Sequence, residues 1–175
     1  MNNYSTELKS ELANYVDNIG KISIRIQKAN KNFLKYDISV TLRFISTSSD
    51  SLIIIKEKLG DLAKFYEIKP RTNTTVELKI GSVHIIKELL NALLPYILKK
   101  QEHALKTLEI ITLFEKFRKV EPKENVNLFL QVCGLVDQYQ NFDRRFQWDT
   151  KKTVNRRYHR HTEKTVSEYL KTKGV

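Results

Sequence analysis

The sequence predicts an α+β fold in which a four-stranded antiparallel sheet carries helices on one face. The order of apolar patterns is helix, strand, strand, then helix, strand, strand, so an αββ unit occurs twice. The strand segments alternate apolar and polar residues, which is typical of a sheet that buries one face and exposes the other. Further helices and a basic tail follow this αββαββα core.

The first αββ unit begins with a predicted helix over residues 6–17, where a Ser/Thr cap precedes apolar residues at helical spacing. Strands follow at 21–27 and 37–44, each with aliphatic residues on one face and polar residues on the other. The polar stretch 28–32 between them predicts a hairpin loop. These periods fix which side chains point into the core.

The second unit repeats the order. A helix is predicted over about 50–64, ended near Gly60, and short strands at about 66–71 and 75–80 flank a polar turn. Ser82 is the predicted cap of a helix that runs to Leu94, and Pro95 interrupts it. The later helices are predicted at 97–117, 125–139 and 162–171.

The charge balance points to a polyanionic partner. The 175 residues include 31 Lys or Arg and 20 Asp or Glu, a net charge of +11, which favours nucleic acid over a membrane. One cysteine excludes an internal disulfide, and no apolar run approaches the roughly 20 residues that span a bilayer. Ten of the cations lie in 143–175, so we expect a domain at 1–142 and a basic extension at 143–175.

Two groups of polar side chains are candidates for contact with nucleic acid. Any one of them is as easily a solvated surface residue, but so many on one sheet face favour a binding surface. One acid, Glu77, is counted among the seven candidates on this predicted sheet face. The sheet candidates are Lys21, Arg25, Gln27, Arg43, Lys69, Arg71 and Lys79. The tail candidates are Arg144, Arg145, Lys151, Lys152, Arg156, Arg157 and Arg160.

Residues 12–20 read Leu-Ala-Asn-Tyr-Val-Asp-Asn-Ile-Gly and resemble the motif that names the LAGLIDADG homing endonucleases. The similarity extends to 94–101 and 129–138 and, with extra residues inserted, to 150–170, in the pattern of single-motif organellar members. The αββαββα order is also that family's core. The resemblance implies a saddle-shaped sheet that binds nucleic acid.

This chain departs from the family motif at positions for which the resemblance implies a role in catalysis. The resemblance implies a metal-binding acid at the eighth motif position, where this chain has Ile19, a residue without an oxygen ligand. Asp17 occupies the sixth position, for which the resemblance implies a structural role near the helix end. A water-positioning polar residue is matched near Ser46, and a pocket lysine is matched by Lys100, which we expect to contact phosphate. We therefore expect no metal, no cofactor and no catalysis.

The same motif bears on self-association. In the family the motif helix packs on its twin through small residues, which allow close backbone approach. The third motif position is Asn14 here, whereas Ala13 and Gly20 are kept. The pattern therefore does not favour the usual symmetric homodimer.

The sequence favours a non-catalytic protein derived from a homing endonuclease that binds RNA as part of an organellar ribosome, beside other ribonucleoprotein components. Three alternatives stay open: an intron maturase or splicing cofactor, an active homing endonuclease that cuts duplex DNA, and an inactive DNA-binding regulator. The abundance of Lys, Asn and Ile favours a mitochondrial, organelle-encoded protein, with the chloroplast as the alternative.

Overall fold

The computed structural model describes residues 4–28, 36–119, 128–129, 131–136 and 138–139. All of them lie in the compact unit Met1–Gln140. The elements are α1 (Thr6–Ile19), β1 (Gly20–Lys28), β2 (Tyr36–Ser46), α2 (Ser49–Leu59), β3 (Ile68–Pro70), β4 (Val76–Ile80), α3 (Val83–Leu93) and α4 (Gln101–Lys119). The predicted α+β class and the αββαββα order are thus confirmed.

Some sequence-based expectations lie outside the described residues. They are the hairpin loop, apart from its first residue Lys28, the helix at 162–171, the domain boundary after 142 and all seven tail cations. These stay predictions.

The four strands form one antiparallel sheet in the order β1-β2-β4-β3. The central strands are therefore β2 and β4, while β1 is a long edge strand and β3 a short one. The register places Ile22 opposite Leu42 and Phe44 opposite Leu78, and all four side chains are buried. The period of two then sends the intervening polar residues to the other face.

Helices cover the apolar face of the sheet. α1, α2 and α3 all contact β2, and Val16, Ile55 and Leu89 from these helices are fully buried. Serine hydroxyls start the helices where the sequence places them: Ser5 accepts the N–H of Leu8, and Ser82 accepts the N–H of Ile85. The predicted Ser82 cap is confirmed.

α4 starts later than the sequence predicts. The expected start was residue 97, but Ile97 has an extended backbone and the helix begins at Gln101. The N–H groups of Leu98, Lys99 and Lys100 bond instead to the carboxylate of Asp17 on α1. Bonds to a residue so distant in sequence leave no local signal.

The described residues between 128 and 139 are helical and pack on the core. Phe129, Val132, Val136 and Tyr139 are buried, and the Tyr139 hydroxyl donates to the carbonyl of Ile22 in β1 at 3.1 Å. Cys133, in the same segment, is half-buried. No helix among the described residues is both long and apolar enough to cross a membrane.

Gly20 lies where α1 meets β1, and a side chain does not fit there. A Cβ on Gly20 would lie 2.6 Å from the carbonyl oxygen of Val16 and 2.8 Å from its Cα. We expect Gly20→Ala to lower the free energy of unfolding by about 1–3 kcal/mol, measured by urea denaturation.

Gly81→Ala is the matched control, because a Cβ on Gly81 would meet nothing within 4 Å. Its free energy of unfolding should change by less than about 0.5 kcal/mol. Equal losses in the two variants would contradict the steric argument.

Candidate nucleic-acid interface

Three cations lie side by side across the polar face of the sheet. The register pairs Lys21 of β1 with Arg43 of β2, and Arg43 with Lys79 of β4. We call these three residues the basic row. Side chains in such cross-strand pairs have Cβ atoms about 4.5–5.5 Å apart, and like charges directly opposite each other are destabilising. Within the described part of the chain, no carboxylate forms an ion pair with any of the three.

The central member of the basic row has an unused donor. Arg43 is half-buried, and its buried Nε atom makes no hydrogen bond to any described residue. A buried donor without a partner costs about 1–3 kcal/mol. Guanidinium groups donate strongly to phosphate oxygens and to base edges, so Arg43 has the chemistry to contact an anionic or acceptor-rich ligand.

The other predicted sheet candidates fall into two groups. Arg25 is exposed on β1 opposite Ser39, four residues from Lys21 and on the same face of the strand, and Gln27 is opposite Asp37 in the register. Arg25 extends the polar surface along β1.

At the β3 edge the cations are paired with acids. Lys69 lies 3.1 Å from the carboxylate of Glu67, and Arg71, beyond the end of β3, lies 3.6 Å from that of Glu77. From the sequence, only one acid, Glu77, was expected on the polar face of the sheet. The structure therefore divides the predicted basic face into the basic row, whose cations have no ion pair with a described carboxylate, and a charge-paired part where Lys69 and Arg71 lie near Glu67 and Glu77.

Asp17, near the end of α1, caps the start of α4. Its carboxylate is buried and accepts the N–H groups of Leu98, Lys99 and Lys100 at 2.8, 3.1 and 2.9 Å. These are donors that a helix N-terminus leaves without partners, and a negative charge there is favourable. The structural role that the resemblance implies for Asp17 is thus visible as a cap on α4.

Lys100, at the start of α4, in turn contacts the end of α1. Its ammonium donates to the carbonyls of Val16, at 2.8 Å, and Gly20, both at the end of α1. Burial lowers the pKa of Lys100; Asp17 opposes this, and the cations of Lys99 and Lys21 add to it. Two of the three ammonium hydrogens are committed to the backbone, so the predicted phosphate contact would use the third.

The end of α1 does not fit the divalent ion that the resemblance implies. Both oxygens of Asp17 are taken by backbone N–H groups, and Ile19 has no oxygen to offer. Ser46, at the end of β2, accepts the N–H of Ser48 at 3.0 Å and so shapes the turn into α2. Among the residues described, no three His, Cys, Asp or Glu side chains are grouped as metal ligands.

A groove of about 490 Å³ lies beside α1, and Asn14, Tyr96 and Leu98 are among its lining residues. The Asn18 amide donates to Asn14 at 2.7 Å, and Lys99 donates to Asn18 at 2.9 Å. Asn14 is exposed. The expectation against a symmetric homodimer stays a prediction.

Glu11, also at this groove, links α1 to α2 through a contact that the sequence analysis missed. Its carboxylate lies 2.7 Å from the Lys58 ammonium, and the Tyr15 hydroxyl donates to it at 3.2 Å. The hydrogen bond from Lys58 lowers the pKa of Glu11, and the same bond raises the pKa of Lys58. No sequence pattern signals a pair 47 residues apart.

Comparison with known proteins identifies the fold. No family model matches the sequence, and neither does any curated protein. The chain is similar to the homing endonuclease I-CvuI in complex with the I-CreI target, with 23% identity, a TM-score of 0.68, and coverage of 95% of this chain and 94% of that one. It is similar to the archaeal intron-encoded homing endonuclease I-Vdi141I complexed with DNA, with 14% identity, a TM-score of 0.70, and coverage of 92% and 95%. It is also similar to the homing endonuclease I-TnaI, with 13% identity, a TM-score of 0.66, and coverage of 90% and 97%.

The fold is the LAGLIDADG homing endonuclease fold. The resemblance seen in residues 12–20 is confirmed at this level. The expectation that the chain is not an enzyme is wrong, because the structures that share the LAGLIDADG fold with it are those of endonucleases. That expectation rested chiefly on Ile19, whereas the similar structures point to an enzyme fold.

The cap on α4 predicts a stability effect. In Asp17→Asn one acceptor oxygen is replaced by an amide NH₂ that faces backbone donors, so buried N–H groups lose a partner. We expect the free energy of unfolding to fall by about 1–3 kcal/mol, measured by urea denaturation. Asp61→Asn, which removes an exposed pair with Lys64, should cost less than about 0.5 kcal/mol. Equal costs would refute the capping role.

The link between α1 and α2 predicts a pH effect. The pKa of Glu11 is lowered in the folded state, so its stabilising contribution is present above its ordinary pKa of 4.5 and is lost as the pH falls through the lower, folded value. Between neutral pH and that acid range, we expect the free energy of unfolding to fall less steeply in Glu11→Gln than in the wild type. Glu57→Gln, on the exposed side of α2, should follow the wild-type curve. Parallel curves for all three proteins would contradict the assignment.

Proposed function

We propose that this chain is a DNA-binding protein of the homing endonuclease type, with the polar face of its sheet as the DNA-binding surface. The observation that carries the proposal is the basic row, three adjacent cations without a described acidic partner, whose central arginine keeps a buried donor unused. Similar structures solved with DNA, those of I-CvuI and I-Vdi141I, support it.

The dimensions of the row suit duplex DNA. Its three strands span two inter-strand spacings, about 10 Å, and the major groove of B-DNA is about 12 Å wide. The apolar face is buried under the helices, so only the polar face is free to meet a ligand. Each phosphate that a cation neutralises releases counterions and adds to affinity.

The sequence favoured RNA as the partner. That prediction is supported by residues other than those of the basic row. The ribosomal prediction depends on the basic tail, which lies outside the described part of the chain. The major groove of A-form RNA is too deep and narrow for side chains to read, so the sheet face itself favours DNA. The ribosomal role, the maturase alternative and the mitochondrial location stay predictions.

The proposal concerns binding. Because the end of α1 offers no set of oxygen ligands among the described residues, no step of strand cleavage is assigned to them.

The test compares two charge-matched triple variants in a salt series. Lys21→Met, Arg43→Met and Lys79→Met together should weaken binding to a duplex DNA and flatten the slope of log K against log salt by about 2–3 units. Fluorescence anisotropy with labelled duplex measures both quantities.

The control variant removes three cations from the helices: Lys9→Met on α1, Lys56→Met on α2 and Lys116→Met on α4. Its salt slope should stay within about one unit of the wild type. Equal flattening in both variants would show that net charge, rather than the sheet face, drives binding. Tighter binding to an RNA duplex of the same sequence would overturn the preference for DNA and favour the ribosomal or maturase role.

A further inference from the structure

Glu77 is an acid in the middle of the proposed DNA-binding face. It lies on the central strand β4, with Ile45 of β2 opposite it on one side and Lys69 of β3 on the other. Its side chain is 20% exposed, so it is held in place within the sheet surface. It lies two residues from Lys79, and therefore about 7 Å from the basic row.

The carboxylate of Glu77 keeps its capacity to accept hydrogen bonds. Its nearest cation, the Nε atom of Arg71, lies 3.6 Å away, beyond hydrogen-bond distance. Lys69, directly opposite in the register, is engaged with Glu67 at 3.1 Å. Among the described residues no donor forms a hydrogen bond to the Glu77 side chain, although Arg71 is close enough to hold it electrostatically.

An acid in this place opposes binding to phosphates, because like charges repel. It becomes favourable only where the ligand presents a donor. In the major groove the exposed donors are the amino groups of cytosine N4 and adenine N6, and carboxylates are the acceptors suited to cytosine N4. Glu77 is 20% exposed and lies opposite the apolar Ile45 in the register, and a hydrogen bond at a partly buried site is stronger than one in water.

We propose that Glu77 selects a cytosine in the DNA by accepting a hydrogen bond from its N4 amino group, a role that rests on the proposed DNA-binding function. The basic row supplies affinity for any duplex, and Glu77 makes that affinity depend on sequence. Arg71 orients the carboxylate beside the groove.

The test selects binding sites from a duplex DNA library with a randomised centre, using the full chain. We expect a position at which the wild type prefers cytosine and Glu77→Gln loses about tenfold of that preference. Adenine should gain there, because glutamine pairs with adenine. Glu77→Asp, which keeps the carboxylate, should retain cytosine over adenine, and all other positions should be unchanged.

Glu67→Gln is the matched control, since it removes an equal charge at the same sheet edge from a residue on the other side of Lys69. It should select the wild-type sequence. Selection of the same sequence by wild type and Glu77→Gln would overturn the inference and leave the proposed function intact. The same base change in Glu67→Gln, or a loss of preference at every position in Glu77→Gln, would also overturn it. If the wild type enriches no duplex at all, the proposed function fails together with the inference.

Discussion

The reciprocal contact of Asp17 and Lys100 is the interaction on which the rest of the structure depends. Asp17 satisfies three N–H groups at the start of α4, and Lys100 satisfies carbonyls at the end of α1. Each charge also has the sign that the dipole of the opposite helix end favours. The contact fixes the residue at which α1 stops, and Gly20 then turns the chain directly into β1. Lys21, the first member of the basic row, is placed by that junction.

The positions of Arg43 and Lys79 are set by the burial of neighbouring apolar side chains, rather than by contacts that the two cations make themselves. Leu42 and Phe44 must lie beneath the helices, so Arg43 between them must point to the other face. A shift of one residue would expose two large apolar side chains and bury a guanidinium, and each change is unfavourable. The hydrophobic core thus holds three cations side by side although their mutual repulsion opposes it. A surface maintained at such a cost is best explained by a ligand that neutralises it.

The strands and their faces could be predicted from the sequence because the alternation of apolar and polar residues is a local signal. It is clear in β1, where isoleucines alternate with polar residues. What could not be predicted are contacts between residues distant in the chain. The late start of α4 depends on Asp17, more than 80 residues away, and the link between α1 and α2 depends on Glu11 and Lys58, which are 47 residues apart. The inference that the chain is not an enzyme failed for a different reason. It gave one substituted motif position, Ile19, more weight than the fold that the whole chain adopts.

A chain with a net charge of +11 attracts every polyanion, and therefore specificity requires groups that penalise the wrong ligand. The polar face contains both kinds of group, in separate places. Lys21, Arg43 and Lys79 interact with charge alone, which every duplex presents at the same spacing. Glu67 and Glu77 neutralise the cations at the β3 edge and so remove sequence-independent affinity from that part of the face. Under the proposed function, where phosphate contacts are weakened, the hydrogen-bonding pattern of the bases would decide which DNA binds, and the acids would thereby convert a general polyanion surface into one that can discriminate between sequences.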